Sequence, residues 1–245
     1  MNKYLYDIHN HILPGVDDGS DSMQLTMRLI KTEYESGVRN IMFTPHYFPR
    51  SSTIKNEEVS ENIAEAFRNV CEVCKKEYPD IRLGLGNELF YRTKIIEELK
   101  CGRANTMGNT EYVLTEFDTD IKYSDMKKAI QDYIFAGYKP ILAHVERFAC
   151  LYKEYDNMDL LREMGVLFQM NGENFIDGMF SLNKKYCKGL VRDGYIDFIS
   201  TDTHNDTTRK PNLAEAVEYL YKKIDGEFLD RILYENPEML FKKID

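Results

Sequence analysis

The stretch Tyr4-Leu5-Tyr6-Asp7-Ile8-His9-Asn10-His11 is a short apolar run that ends in two histidines one residue apart. The arrangement recurs along the chain. Seven runs have strand-like composition: Tyr4–His9, Val38–Thr44, Ile81–Asn87, Tyr112–Glu116, Pro140–His144, Val166–Asn171 and Ile196–Thr201. Amphipathic segments separate them at roughly 21–36, 56–77, 122–136, 157–164, 184–193, 211–224 and 226–234. Met23, Met27, Ile30 and Tyr34 are spaced for one helix face, and Leu213, Val217, Leu220 and Ile224 repeat the pattern. Asp21-x-x-Gln24 resembles a capping box at the start of the first helix. Gly37, Gly137, Gly165 and Gly194 each stand between a helix and the next strand, where a left-handed residue ends the helix. Strands interleaved with helices imply a parallel sheet covered on both faces.

The chain has 245 residues, and 32 Lys+Arg against 41 Asp+Glu give a formal charge of −9. That balance argues against a nucleic-acid binder, which needs a basic stripe to neutralise phosphates. The length fits one α/β barrel, since these run to roughly 250 residues as a single domain; one domain over 1–245 is expected. With 43% hydrophobic and 30% charged residues, a sizeable core is affordable and disorder is not expected. Met1–Tyr6 lacks the apolar core of a removable signal, and no stretch approaches the roughly 20 apolar residues of a membrane span. The five cysteines, Cys71, Cys74, Cys101, Cys150 and Cys187, form no framework pattern and fit reduced thiols in a cytoplasmic protein. Cys71-x-x-Cys74 suggests a redox or zinc pair. However, Ile63, Phe67, Val70 and Cys74 recur at helical spacing, which makes Cys74 a core residue.

All five histidines, His9, His11, His46, His144 and His204, fall at or just past the C-terminal ends of the expected strands. Glu88, Glu116 and Asp202 occupy the same position, and Asn171 ends the remaining strand. Active sites of parallel α/β barrels gather at that rim, each strand end contributing a side chain. A lone histidine is usually a hydrogen-bonded or surface residue; five at equivalent positions, accompanied by acids, point to a metal site. Imidazole suits zinc, iron and manganese, and carboxylate shifts the preference toward manganese and magnesium. The set exceeds what one open catalytic ion needs, so two or three ions are expected. Neighbouring ions with a bridging carboxylate such as Glu88 suit phosphoryl displacement.

These motifs resemble the PHP (polymerase and histidinol phosphatase) superfamily, and most closely the CpsB/YwqE-type tyrosine-protein phosphatases of capsule and exopolysaccharide operons. Asp-Ile-His-Asn-His-Ile-Leu-Pro-Gly-Val-Asp-Asp-Gly at 7–19 carries the likeness most strongly. Thr-Pro-His46, Gly-Asn-Glu88-Leu, Leu-Thr-Glu116-Phe, Ala-His144-Val-Glu-Arg147-Phe and Thr-Asp202-Thr-His204-Asn follow in order. The resemblance implies a distorted (βα)7 TIM-like barrel of the PHP fold, with three divalent ions. Manganese is the expected ion, iron or zinc the alternatives. It implies His9, His11, Glu88 and Asp202 as ligands of a first ion, and Glu88 as the bridge. Glu116 and His144 would hold the second ion, and Asp18, His46 and His204 the third. Of Asp17 and Asp18, the residues alone choose neither; the resemblance selects Asp18. Arg147 and Arg209 match the family's phosphate-binding arginines. The implied reaction is phosphotyrosine hydrolysis by metal-activated hydroxide. The implied partner is an autophosphorylated bacterial tyrosine kinase of polysaccharide export.

A small-molecule phosphatase, such as histidinol-phosphate phosphatase, is the nearest competitor. An amidohydrolase usually wants a carboxylated lysine at a strand end, and no strand end here offers one. A cysteine phosphatase needs Cys followed by Arg after five residues, a pattern missing from the chain. A non-catalytic scaffold would be expected to have lost ligand positions, and none is lost.

Overall fold

A computed structural model describes residues 4–47, 56–176 and 184–244. The reading of the first residues as no removable signal falls partly on 1–3, outside the described residues. Among the described residues the strands are β1 (Leu5–Asp7), β2 (Val38–Phe43), β3 (Arg82–Leu85), β4 (Glu88–Phe90), β5 (Tyr112–Glu116), β6 (Lys139–Leu142), β7 (Leu167–Asn171) and β8 (Phe198–Ser200). Every pairing is parallel, in the orders β1-β2-β3 and β4-β5-β6-β7-β8. Two isolated parallel bridges, His46 to Glu88 and Asn10 to Thr203, join the sheets into a ring. The distorted barrel therefore closes, as expected.

The expected third strand is split. Gly86 N donates to Phe43 O at 2.8 Å, and then Asn87 turns its side chain out of the ladder. Asn87 Nδ2 donates to Pro45 O, and its Oδ1 accepts from Asn105 N and Nδ2. The chain resumes as β4, so Glu88 opens a strand instead of following one. Together β3 and β4 fill one position, which leaves seven around the barrel.

Inward residues change character along each strand. Tyr112, Leu114 and Glu116 alternate on β5, as do Leu167, Gln169 and Asn171 on β7. Their lower members join Ile8, Met42, Ile141 and Phe198 in an apolar interior. Met107, Leu240 and Phe241 share that cluster and stop the N-terminal mouth. Glu238 accepts from Tyr6 Oη and Arg82, fastening the plug to the first strands. The upper members are polar, so chemistry is confined to the C-terminal end.

The helices are α1 (Met23–Glu35), α2 (Asn56–Glu77), α3 (Ile95–Lys100), α4 (Tyr123–Phe135), α5 (Tyr155–Glu163), α6 (Lys184–Arg192), α7 (Leu213–Tyr221), α8 (Gly226–Asp230) and α9 (Asn236–Phe241). Gly37, Gly137, Gly165 and Gly194 all take the positive φ expected of helix ends. Cys74 is buried, the core position its spacing implied. No described helix is long and apolar enough to cross a membrane. The helices also depart from expectation. Ser22, not Asp21, caps α1, its side chain accepting from Leu25 N at 3.3 Å. Helix α3 was missed, because six residues are too few for periodicity to show. The expected 226–234 helix breaks at Asp230, continues through a π segment at Arg231–Glu235, and ends in α9.

Helix α1 is also rotated from its expected face. Thr26, Leu29, Ile30 and Glu33 are buried, while Met23, Met27 and Tyr34 lie at the margin. Two polar residues on the buried stripe disguised it. Neither Glu33 carboxyl oxygen has a hydrogen-bond partner. Burial, and then the nearby Asp7, push its pKa well above the ordinary value. The unfolded carboxyl titrates near about 4.3, so its stabilising contribution is complete below that value and declines as pH rises toward the folded one. Glu33→Gln removes the titration. Its thermal midpoint relative to wild type should climb as pH rises from about 4 to about 8. A difference that stays flat over this range would contradict the buried, unpaired state.

Candidate metal centre

The bridge between Asn10 and Thr203 organises half of the site. Residues flanking a bridged pair share the opposite face, so His9 and His11 turn inward beside Asp202 and His204. His11 N donates to Thr203 O, and Asp202 N to His9 O, both at 2.8 Å. Strand pairing thus continues through the motif, which is what His-x-His needs for both rings to converge. Nε2 of His9 lies 3.6 Å from Asp202 Oδ1, and Nε2 of His11 3.5 Å from the same oxygen.

The bridge between His46 and Glu88 builds the other half. His46 Nδ1 is 3.3 Å from Glu88 Oε2 and 3.3 Å from Glu116 Oε1. Glu88 also meets His9 at 3.3 Å, His11 at 3.1 Å and His144 at 2.8 Å. His144 Nε2 reaches Glu116 at 3.6 Å. Asp18 Oδ1 stands 3.5 Å from Nε2 of both His46 and His204. All nine expected ligand residues are therefore in one place. Three sets present ligand atoms within 4.8 Å of one another: His11, Asp18, His46 and His204; His9, His11 and Asp202; His46, Glu88 and Glu116. His11 and His46 each belong to two sets, so the groups are contiguous.

The donors fit a divalent ion. Nε2 of His9, His11 and His204 is buried in each case with no hydrogen-bond partner. Their other nitrogens are engaged: His9 Nδ1 with Gln169 Oε1 at 3.0 Å, His11 Nδ1 with Asp17 Oδ2 at 2.7 Å, His204 Nδ1 with Asp202 O at 2.9 Å. Outer partners of this kind set the tautomer and aim the free nitrogen of a metal-binding histidine. Of the orienting residues, the sequence offered Asn171 as a strand end and Asp17 as an alternative to Asp18, and did not single out Gln169. Gln169 also accepts from His144 N at 2.7 Å, and Asn171 donates to Asp202 Oδ2 at 2.8 Å. Asp17 accepts from His46 N at 3.0 Å as well as holding His11. The signal for Gln169 was present: a polar residue two before Asn171 on the inward face of β7. Asp17 and Asp18 divide their work, one orienting a ring and the other facing the ligand atoms.

Arg147 and Arg209 converge on Asp202. Their Nη2 atoms lie 3.1 and 2.6 Å from Oδ2, leaving Oδ1 for the histidines. Arg147 also contacts Glu173 at 3.2 Å. Asn205 sets the loop that carries Arg209. Its Oδ1 accepts from the backbone of Thr207, Thr208 and Arg209, while Arg209 O accepts from His204 N.

Burial raises the cost of every charge here, and mutual contact outweighs it at Glu88, His144 and His11. Burial pushes the Glu88 carboxyl up, but His9, His46, His11 and His144 hold it well below its ordinary value. Burial likewise opposes the imidazolium of His144, but Glu116 and Glu88 raise it to about 10. His11 moves well above its ordinary value for the same reason, through Asp17 and Glu88. His204 goes down, with burial as the leading cause.

His144 (φ 34°) and Asp202 (φ 55°) occupy the left-handed region at the ends of β6 and β8. A side chain there costs on the order of 1–3 kcal/mol. The turn redirects each functional group into the centre. Metal-stripped Asp202→Gly should therefore exceed Asp202→Ala in stability by about 1 kcal/mol in denaturant unfolding. A less stable glycine variant would contradict the strain.

Comparison with known proteins places the chain in a family. The chain is 27% identical over 243 residues to the tyrosine-protein phosphatase CpsB of Streptococcus agalactiae, covering 97% of this chain and 98% of that protein. It is 28% identical over 239 residues to the tyrosine-protein phosphatase YwqE of Bacillus subtilis, covering 97% and 92%. A solved structure from work on YwqE of Bacillus subtilis and CpsB of Streptococcus pneumoniae, described as metal-dependent tyrosine phosphatases, matches with TM-score 0.85. Its identity is 27%, covering 97% of this chain and 94% of that one. With the capsular polysaccharide synthesis CpsB/CapC model matched over residues 5–242, the chain belongs to the CpsB/CapC family.

Proposed function

We propose that this chain is a metal-dependent phosphomonoesterase acting on phosphotyrosine in proteins. The observation that carries the reading is the meeting of two guanidinium groups, Arg147 and Arg209, at the edge of a buried imidazole–carboxylate cluster. The names of its relatives support the same activity.

In this reading His9, His11, Glu88 and Asp202 would hold a first ion, Glu88 with Glu116 and His144 a second, and Asp18, His46 and His204 a third. The mixed imidazole and carboxylate set suits manganese, with iron or zinc as alternatives. Bound divalent ions supply Lewis acidity and water activation at neutral pH. The chain supplies the rest. Guanidinium forks bind phosphate oxygens in bidentate fashion, and Arg147 and Arg209 already grip an anion, Asp202 Oδ2. A phosphate that approaches exchanges one anionic partner for another. Phe90 and Phe117 wall a cavity of about 410 Å³ next to His46, Glu88 and Glu116. Exposed Arg92, Asp118 and Thr119 form its rim. An aromatic ring carried on a protein chain fits apolar walls with an exposed rim. A phenol leaves with a pKa near about 10, so its departure needs less proton assistance than an alkoxide. A small-metabolite substrate such as histidinol phosphate is the second reading, favoured by the same phosphate-binding groups but not by the exposed rim. The remaining parts of the proposal are a single functional unit over 1–245, a cytoplasmic location, and a tyrosine kinase of polysaccharide export as the phosphoprotein.

Manganese-loaded protein should hydrolyse p-nitrophenyl phosphate and a phosphotyrosine peptide, and prefer the peptide to histidinol phosphate. Full activity after metal stripping and chelation would refute the reading. Arg147→Ala should lower kcat/KM by about a hundredfold; near-wild-type kinetics would remove Arg147 from the phosphate site. Contacts with carboxylates raise the His11 imidazole well above its ordinary value and that of His144 to about 10. Ligation needs neutral imidazole, so metal binding at pH near 7 must release protons. Calorimetric titration with manganese should then give an enthalpy that varies with the buffer's ionisation enthalpy. An enthalpy independent of buffer would contradict ligation by these two rings.

A further inference from the structure

A second cavity, about 600 Å³, lies outside the barrel between the β6–α5 loop and helix α6. None of the groups used so far lines it. Its walls are tyrosine rings and cations. Tyr152 and Tyr186 pack edge to face with centroids 4.8 Å apart, and Lys153 Nζ lies 4.9 Å from the Tyr152 ring centre. Lys185, Lys188 and Arg192 follow at spacings of 3 and 4 along α6 and share one helix face. The carboxylate among the lining residues, Asp193, is taken up by Arg192 at 2.8 and 3.1 Å. Lys153, Lys185 and Lys188 form no ion pair among the described residues. On a chain of net charge −9, such a concentration of cations is a local reversal of sign.

Two further observations mark it as a built groove. Gly189 sits on the floor, in mid-helix, where glycine costs about 1 kcal/mol relative to alanine. A Cβ there would meet nothing within 4 Å, so no packing requires glycine; it keeps the floor open. Lys153 is held at φ 61°, in the left-handed region. Tyr186 Oη fixes the loop by donating to Leu151 O at 3.0 Å and accepting from Lys153 N at 3.4 Å.

The groove's position gives it a use. The β6–α5 loop also carries Arg147, five residues before Tyr152. Helix α6 follows the connection that leaves the C-terminal end of β7. The cavity therefore begins at the same end of the barrel as the metal centre. Among the described residues, Lys153, Lys185 and Lys188 supply its unpaired cations, and the α6 face runs on to the Arg192–Asp193 pair, about 10 Å from Lys185 at helical rise. We infer that this groove docks an acidic peptide segment of the phosphoprotein whose phosphotyrosine enters the metal centre. The inference rests on the phosphotyrosine-protein reading. A concave, ring-lined channel suits a peptide chain; a lipid surface calls for a flat or protruding face.

The test uses the full chain and a fluorescent, unphosphorylated Glu/Asp-rich peptide, with a Gln/Asn-substituted peptide as control. Fluorescence anisotropy should show selective binding of the acidic peptide. Binding should weaken about tenfold in Lys185→Glu/Lys188→Glu. Gly189→Leu, which fills the floor and keeps every charge, should weaken it as well. Turnover of p-nitrophenyl phosphate should be unchanged in both variants, which also reports that they fold. For a phosphotyrosine peptide with acidic flanks, KM should rise and kcat should hold. Equal binding of both peptides, or undiminished binding by both variants, overturns the inference. Retention on phosphatidylserine vesicles without peptide binding overturns it in favour of a membrane. The anisotropy measurement involves no phosphate hydrolysis, so a failed phosphatase reading and a failed docking groove give different results.

Discussion

Glu88 is a carboxylate with 2% exposure that faces four imidazoles, and the centre is arranged around keeping it ionised. A buried anion without partners costs several kcal/mol or takes up a proton. Here positive or metal-ready nitrogens approach both of its oxygens. Carboxylates crowd one another there, and four buried histidine nitrogens lack hydrogen-bond partners. Divalent ions held there would relieve both problems, and the cost of assembling the cluster would become metal affinity.

The barrel makes that crowding possible because it is irregular where the ligands lie. Alternation through the Asn10–Thr203 bridge turns His9 and His11 inward together, and it extends past the ends of the regular strands. The isolated bridges at 10 to 203 and 46 to 88 continue the pairing without continuous strands. The left-handed turns at His144 and Asp202 then redirect two more groups inward. Below this layer the interior is apolar and closed by the C-terminal plug, so water has access from one end only. An acidic exterior does not preclude a phosphate site, since divalent ions held by this cluster would, with the two arginines, be the largest charges at the rim.

Much of this was legible in the chain itself. Strand positions followed from apolar runs, and the glycines at 37, 137, 165 and 194 marked the helix ends. The location of histidines after strands exposed the centre, because that rim is where parallel barrels place chemistry. What escaped had physical reasons. The break at Asn87 depends on a side chain replacing a ladder, which no pattern of hydrophobicity encodes. The buried stripe of α1 contains Thr26 and Glu33, so counting apolar residues chose the wrong face. Gln169 and Asp17 act through other residues, and their partners are distant or adjacent in ways that spacing does not reveal. The basic groove draws on two loops and a helix face that meet only in the folded chain.

Metal count and position test the account most directly. Crystals of protein purified without added metal should be measured across the absorption edges of manganese, iron and zinc. Three anomalous peaks are predicted: one among His9, His11, Glu88 and Asp202, one beside Glu116 and His144, and one among Asp18, His46 and His204. A single peak, or density with no anomalous signal inside this cluster, would contradict a three-ion centre bridged by Glu88.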